Sequence, residues 1–145
     1  MSTSATASKL TSQQKLILAD LSATLFCVLF GAVYEAFGHG VYAYGMLYAF
    51  VFPLVLGVLP MLLIDMLRAP YPSRFTRSVW HAGIAALTVG SLVSGALAIY
   101  GTDNPLTLVY WILGGALAAL GAAGYLATVL SVRKNKANFP KEVHT

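Results

Sequence analysis

Long apolar runs alternate with short polar connections along this chain. Four runs are long enough to cross the hydrocarbon core of a bilayer, which takes about 20 helical residues. They cover residues 16–37, 45–67, 78–100 and 106–132. None keeps the charged face that a helix of a water-soluble bundle carries. The pattern predicts an all-α integral membrane protein with four transmembrane helices in an antiparallel bundle, and it excludes a soluble bundle.

Polar tails flank the four runs. Residues 1–15 are rich in Ser and Thr, and residues 133–145 are basic. The first apolar run is longer than the core of a signal peptide, which has about 7–15 residues. No convincing cleavage site follows that run. We therefore expect residues 16–37 to stay in the protein as its first transmembrane helix.

Positive charges occur in only three places, namely the two tails and the second connection. The cations are Lys9, Lys15, Arg68, Arg74, Arg77, Arg133, Lys134, Lys136 and Lys141. Lys and Arg are concentrated in the cytoplasmic loops of membrane proteins. We expect a multi-pass protein of the cell membrane with both termini and the second connection in the cytoplasm.

The composition agrees with a membrane protein and explains the net charge. Hydrophobic residues make up 58% of the chain, charged residues make up 10%, and the mean hydropathy is +0.74. Soluble globular domains carry about 25% charged residues. The formal net charge is +4, and the cations that produce it lie where anionic headgroups of the cytoplasmic leaflet would contact them. We expect the bilayer and these headgroups as partners, and no nucleic acid.

The second run carries two prolines and a glycine near its middle. Pro53 and Pro60 are seven residues apart, so they lie on nearly the same helix face, with Gly57 between them. Each proline leaves a backbone carbonyl one turn earlier without its donor. The pattern predicts either a tolerated kink or a discontinuous helix whose carbonyls line a site near the membrane centre, as in some transporters.

Small residues recur every four positions in the third and fourth runs. This spacing lets helix backbones approach closely, which favours association in lipid. The positions expected at the contact are Ala86, Gly90, Ser94, Gly114, Ala118 and Ala122. The two runs should pack on each other or across a dimer axis, so a homo-oligomer or a larger membrane complex is expected.

Ionisable residues fall in two predicted layers, and the outer layer comprises Glu35, His39 and Asp103. If the first helix extends to residue 39, Glu35 and His39 share one face. The pair could bind a ligand or ion, supply two of the ligands of a catalytic zinc, or close the hairpin by hydrogen bonds. Gly38 and Gly40 could instead end the helix before His39. We assign no metal to this layer.

The inner layer comprises Asp20, Asp65 and His81. Asp65 precedes Arg68 by three positions, a spacing that favours a local ion pair in a helix. Asp20 could pair with the tail or with an arginine of the second connection. The alternative is a proton-handling cluster of all three residues, because ionisable residues inside a membrane are functional candidates.

The sequence lacks the motifs of common catalytic sites. It has no Gly-rich phosphate loop, zinc-protease motif or Ser/His/Asp arrangement, and the single Cys27 excludes an internal disulfide. His39 and His81 are predicted near opposite faces, so we expect no bis-His haem and no other cofactor. We expect a transport protein or transporter subunit that acts as an oligomer or with a partner. The alternatives are a non-catalytic scaffold or assembly subunit, and a membrane enzyme with an outer-face metal or redox site.

Overall fold

The computed structural model describes residues 11–37 and 43–138, of which 84% lie in helices and none in strands. Five α-helices follow one another, and a π-helical stretch, called the π segment below, precedes the third. The elements are α1 (Ser12–Phe37), α2 (Tyr44–Leu47), the π segment (Phe52–Val58), α3 (Leu59–Met66), α4 (Arg74–Ile99) and α5 (Thr107–Asn138). The chain is therefore all-helical over its described residues, as the sequence predicts.

Four stretches of helix are long and apolar enough to cross a membrane. They are Ser12–Phe37, Tyr44–Met66, Arg74–Ile99 and Thr107–Lys136. We call Tyr44–Met66, which joins α2, the π segment and α3, the second span. The predicted number of membrane-length helices is confirmed.

The helices α1 and α4 begin before the corresponding apolar runs, because side chains cap their first turns. The Thr11 hydroxyl accepts from the Gln14 backbone N–H at 3.3 Å, and the Gln14 side chain accepts from the Thr11 N–H at 2.9 Å. This is a reciprocal capping box. The Ser73 hydroxyl likewise accepts from the Thr76 N–H at 3.1 Å. These caps satisfy backbone donors that the first turn of a helix leaves free.

After a turn at residues 48–50, the second span changes its hydrogen-bonding pattern but stays helical to Met66. Within the π segment, the Leu59 N–H donates to the Leu54 carbonyl five residues earlier. Pro60 has no N–H for the Leu56 carbonyl, and the indole Nε1 of Trp80 in α4 donates to that oxygen at 2.7 Å. The backbone is therefore helical through both prolines, and the structure shows a distortion rather than two separate half-helices.

α4 lies between the second span and α5. It contacts α2 and the π segment on one side and α5 on the other, while α1 packs against the second span. Most buried apolar side chains belong to the second span and α4, including Met46, Met61, Ile84 and Leu87. Large apolar side chains on α1 and α5 are exposed, as expected for surfaces that contact lipid.

Glycines allow α4 and α5 to approach closely. A β-carbon added at Gly83 would lie 2.5 Å from the backbone nitrogen of Ala118, and one at Gly114 would lie 2.7 Å from the Leu87 Cγ. One at Gly90 would lie 2.6 Å from the Tyr110 Cβ. The predicted packing positions Gly90, Gly114 and Ala118 thus lie at this contact. Of the other three, Ala86 and Ser94 are half-buried, and Ala122 lines a groove described below.

Candidate functional site

The side chains of Asp20 of α1 and His81 of α4 form a pair between these two helices, which is an ion pair when the imidazole is protonated. The Asp20 Oδ1 lies 3.3 Å from the His81 Nδ1. Asp20 is only 8% exposed. At a rise of about 1.5 Å per residue, each residue lies roughly 10–12 Å from the start of its helix. The pair therefore lies about two turns inside both helices.

Gly57 of the π segment provides the space for the Asp20 carboxylate. A β-carbon at residue 57 would lie 2.7 Å from both the Cγ and the Oδ2 of Asp20, closer than non-bonded atoms can approach. The Asp20 backbone carbonyl is occupied within α1, where it accepts from the Thr24 hydroxyl at 2.8 Å. Three elements, α1, the π segment and α4, thus meet at one carboxylate.

Each member of the pair has a second polar atom without a partner. The Asp20 Oδ2 and the His81 Nε2 are buried, and neither has a hydrogen bond to any described residue. An unpaired buried polar atom costs about 1–3 kcal/mol, so proteins seldom keep one without a functional reason. The pair can therefore bind a further polar species, such as a proton, a water molecule or a small cation.

A groove of about 440 Å³ runs beside the pair, and both residues line it. Its other walls are mainly apolar, with Leu16, Phe26 and Pro53 among them. Thr88 also lines the groove, but its hydroxyl donates to the Ile84 carbonyl of its own helix at 2.8 Å. The buried Cys27 thiol is a further lining group. The polar chemistry of the groove is therefore concentrated at Asp20 and His81.

Asp65 lies apart from this pair. Its side chain is exposed, and residues 11–37 and 43–138 contain no cluster of three His, Cys, Asp or Glu side chains. The predicted ion pair with Arg68 does not form, since the only ion pair in these ranges joins Asp20 and His81. The reason is local: α3 ends at Met66, and Arg68 has a left-handed φ of +49°.

The predicted outer layer is only partly described. Glu35 is half-buried in α1, and its Oε1 has no hydrogen-bond partner within the described ranges. Asp103 is exposed between α4 and α5. His39 lies outside the described residues, so its pairing with Glu35 stays a prediction.

One buried hydroxyl of α4 holds this helix against the start of the second span. The buried Ser91 hydroxyl donates to the Gly45 carbonyl of α2. A β-carbon at Gly95, one turn later in α4, would lie 2.5 Å from the Met46 Cβ. This contact fixes the start of the second span against α4 and leaves the Ser91 hydroxyl engaged.

Three contacts of the site were not predicted from the sequence. They are the pairing of Asp20 with His81, the fit of Asp20 against Gly57, and the bond from Trp80 to Leu56. The sequence contains a signal for the pairing of Asp20 with His81, because each of these residues follows the start of its apolar helix by about two turns. The other two depend on the rotation of the second span, which the π segment changes.

Searches against protein-family models, curated proteins and solved structures find no match for this chain. Its class follows from its own helices. Four helices of this length and apolar character indicate a membrane protein.

Proposed function

We propose that this chain is a small transport protein of the cell membrane, or a subunit of a transporter, and that protons bind at its Asp20–His81 pair. The observation that supports this proposal is a carboxylate–imidazole pair between membrane-length helices with an unpartnered atom on each side chain. Chains of Asp, Glu and His are the usual proton relays of pumps and transporters.

The pair combines the two properties that a proton-binding site in a membrane needs. It is shielded by apolar side chains, so a proton held there is exchanged only through a defined path. Both residues also line a groove, from which a proton or a protonated ligand can approach the pair.

A single chain does not enclose a transport path by itself. α1 and α5 lie at the two edges of the helix arrangement, and α5 packs mainly on α4. The proposal therefore includes self-association or a partner protein, which would cover the groove beside Asp20.

The proposed topology is an antiparallel bundle with both termini in the cytoplasm, supported by the distribution of the cations. Cysteine labelling tests it in a Cys27→Ser background. An impermeant maleimide added to intact cells should label Asp103→Cys and leave Ser73→Cys unlabelled, since both positions are exposed and the proposed topology puts them on opposite sides of the membrane. The reverse pattern would overturn the orientation.

Proton flux in vesicles tests the function. Protein extracted gently from its native membrane, with any subunits that copurify, is reconstituted with an entrapped pH dye, and a potassium diffusion potential drives protons. We expect flux above that of empty vesicles, reduced at least tenfold by the near-isosteric Asp20→Asn and by His81→Gln. Asp65→Asn is the matched control, because it removes an exposed carboxylate and should leave the flux unchanged. Flux at the level of empty vesicles would contradict the proposal.

A second candidate function is that of a non-catalytic assembly subunit. The observation in its favour is the outer face of α5, where the small residues Gly115, Ala119 and Ala123 are exposed. No atom lies within 4 Å of a β-carbon added at Gly115. If this face binds a partner helix, Gly115→Leu should release the partner while the chain stays folded, and Asp20→Asn should leave the complex intact. Gently solubilised complexes analysed by native mass spectrometry separate the two functions.

A further inference from the structure

A second groove lies between α3 and α5, over the part of α4 that follows the second connection. Its volume is about 370 Å³, and apolar side chains form most of its wall, among them Ile64, Pro72, Trp80, Ala122 and Leu126. One charged side chain, Arg77, also lines it. The groove shares no lining residue with the Asp20–His81 groove.

Arg77 is held in place but keeps its charge unpaired within the described ranges. Its guanidinium carbon lies 5.8 Å from the centre of the Tyr71 ring, a cation–π distance. The only ion pair of residues 11–37 and 43–138 is Asp20–His81, so no described carboxylate pairs with Arg77. Burial raises the pKa of the Tyr71 phenol, which therefore remains a hydrogen-bond donor beside the guanidinium at neutral pH.

The lining of the groove is almost wholly apolar, and its one charged side chain is that of Arg77. An acyl chain of a lipid is thin and purely apolar, so it matches this lining. Lipid is also the surrounding medium of any groove that opens between membrane-spanning helices.

We propose that this groove binds an acyl chain of an anionic phospholipid whose phosphate is bound by Arg77. Guanidinium groups bind phosphate oxygens through paired, charge-assisted hydrogen bonds. Basic pockets between transmembrane helices are an established mode of anionic headgroup binding. Arg68 and Arg74 of the same connection are exposed and do not line the groove. This site is independent of proton binding at Asp20.

Trp80 provides a direct probe of the groove because it lines the wall. In a Trp111→Phe background it is the only tryptophan. Two sets of vesicles contain phosphatidylglycerol and phosphatidylcholine in the same ratio. Both sets carry the same amount of brominated acyl chains, which are on phosphatidylglycerol in one set and on phosphatidylcholine in the other. Bromine quenches indole fluorescence by contact. We expect brominated phosphatidylglycerol to quench Trp80 with an apparent affinity about fivefold higher than brominated phosphatidylcholine, since one arginine near anionic lipid contributes about this factor.

Three variants separate the headgroup from the acyl chain. Arg77→Gln should remove the preference for phosphatidylglycerol, whereas Arg74→Gln, at an exposed position outside the groove wall, should keep it. Ala122→Phe should fill the groove and lower quenching by both lipids. Circular dichroism and an unchanged Trp80 emission maximum confirm that each variant is folded, and Arg77→Lys, which retains the charge, should retain part of the preference.

Three results would overturn the proposal. Equal quenching by the two lipids would mean that the groove binds lipid without selecting its charge. A preference that persists in Arg77→Gln would place the headgroup elsewhere. An absence of Trp80 quenching by either lipid would mean that a protein segment fills the groove.

Discussion

The indole of Trp80 donates to the one backbone oxygen that Pro60 deprives of its α-helical donor. The Nε1 of Trp80 lies 2.7 Å from the Leu56 carbonyl, four residues before the proline. A polar backbone group that faces hydrocarbon without a partner is strongly unfavourable. The third membrane-length helix thus compensates for the proline of the second.

This relationship makes Trp80 and Pro60 energetically coupled. Trp80→Phe should destabilise the protein by about 1 kcal/mol through the lost hydrogen bond. In a Pro60→Ala background a backbone N–H is again available to the Leu56 carbonyl, so Trp80→Phe should have a smaller effect. A double-mutant cycle of unfolding free energies in detergent measures the difference.

Trp111→Phe is the control for that cycle. Trp111 packs edge-on against Phe52 with ring centres 5.8 Å apart, and phenylalanine preserves an aromatic contact there. Its effect should be the same with and without Pro60. Equal effects of Trp80→Phe in both backgrounds would show that its contribution comes from packing alone.

A second prediction concerns the space that Gly57 leaves for Asp20. Gly57→Ala should displace the carboxylate and separate it from His81, with a loss of about 1–3 kcal/mol, as for other overpacked sites. In Asp20→Ala the obstructing carboxyl is absent, so the same change should be close to neutral. Unfolding midpoints of the four proteins test this, and an undiminished effect in Asp20→Ala would rule out the carboxylate contact.

A third prediction compares a glycine within the α4–α5 contact with one on the outer face of α5. Gly83→Ala brings a methyl group against the Ala118 backbone, which cannot yield as a side chain can, so we expect a loss of about 1–3 kcal/mol. Gly115→Ala faces open space and should stabilise α5 by up to about 1 kcal/mol through helix propensity. Thermal unfolding in detergent distinguishes them, and similar shifts for both would contradict the close approach at Gly83.

A fourth prediction concerns the start of the second span. Ser91→Ala leaves the Gly45 carbonyl without its donor and should destabilise the protein by about 1 kcal/mol. Hydrogen exchange of the α2 amides should accelerate as well, because this bond ties α2 to α4. Ser94→Ala is the matched control, since Ser94 makes no side-chain hydrogen bond within the described ranges. Exchange that accelerates equally in both variants would argue against a specific role for Ser91.

The membrane-length helices could be predicted because each apolar run carries the signal within itself. Their starts were less predictable, since residues 12–15 are polar and belong to no apolar run. The capping box formed by Thr11 and Gln14 is a local motif, and the sequence TSQQ contains it. It would have placed the start of α1 at Ser12.

The small-residue stripe predicted for α4 follows a different spacing from the contact between α4 and α5. A strict four-residue step moves around the helix by about 40° each time. The contact with α5 instead alternates steps of four and three, as in coiled-coil packing. It runs through Thr76, Trp80, Gly83, Leu87 and Gly90. Of the predicted stripe, Gly90 lies on this line of contact.

The layer that contains the candidate site could be predicted from the sequence, but not which residues of that layer contact one another. Asp20, Asp65 and His81 were expected at one depth, and two of them meet. Asp65 was included because it lies near the end of the second apolar run, whereas the structure leaves its side chain exposed, one residue before α3 ends. Sequence spacing does not reveal where a helix ends in a left-handed residue, or how a π segment rotates Gly57 towards α1.

The two residues of the Asp20–His81 pair are synthesised at different times. α1 leaves the ribosome before α4, so Asp20 reaches the bilayer while His81 has not yet been made. A lone Asp in the apolar part of a membrane helix raises the free energy of insertion, most strongly near the helix centre. The Leu, Ile, Val and Phe residues of α1 offset that penalty until α4 arrives. A chain arrested after the second span therefore presents an unpaired acid to the membrane.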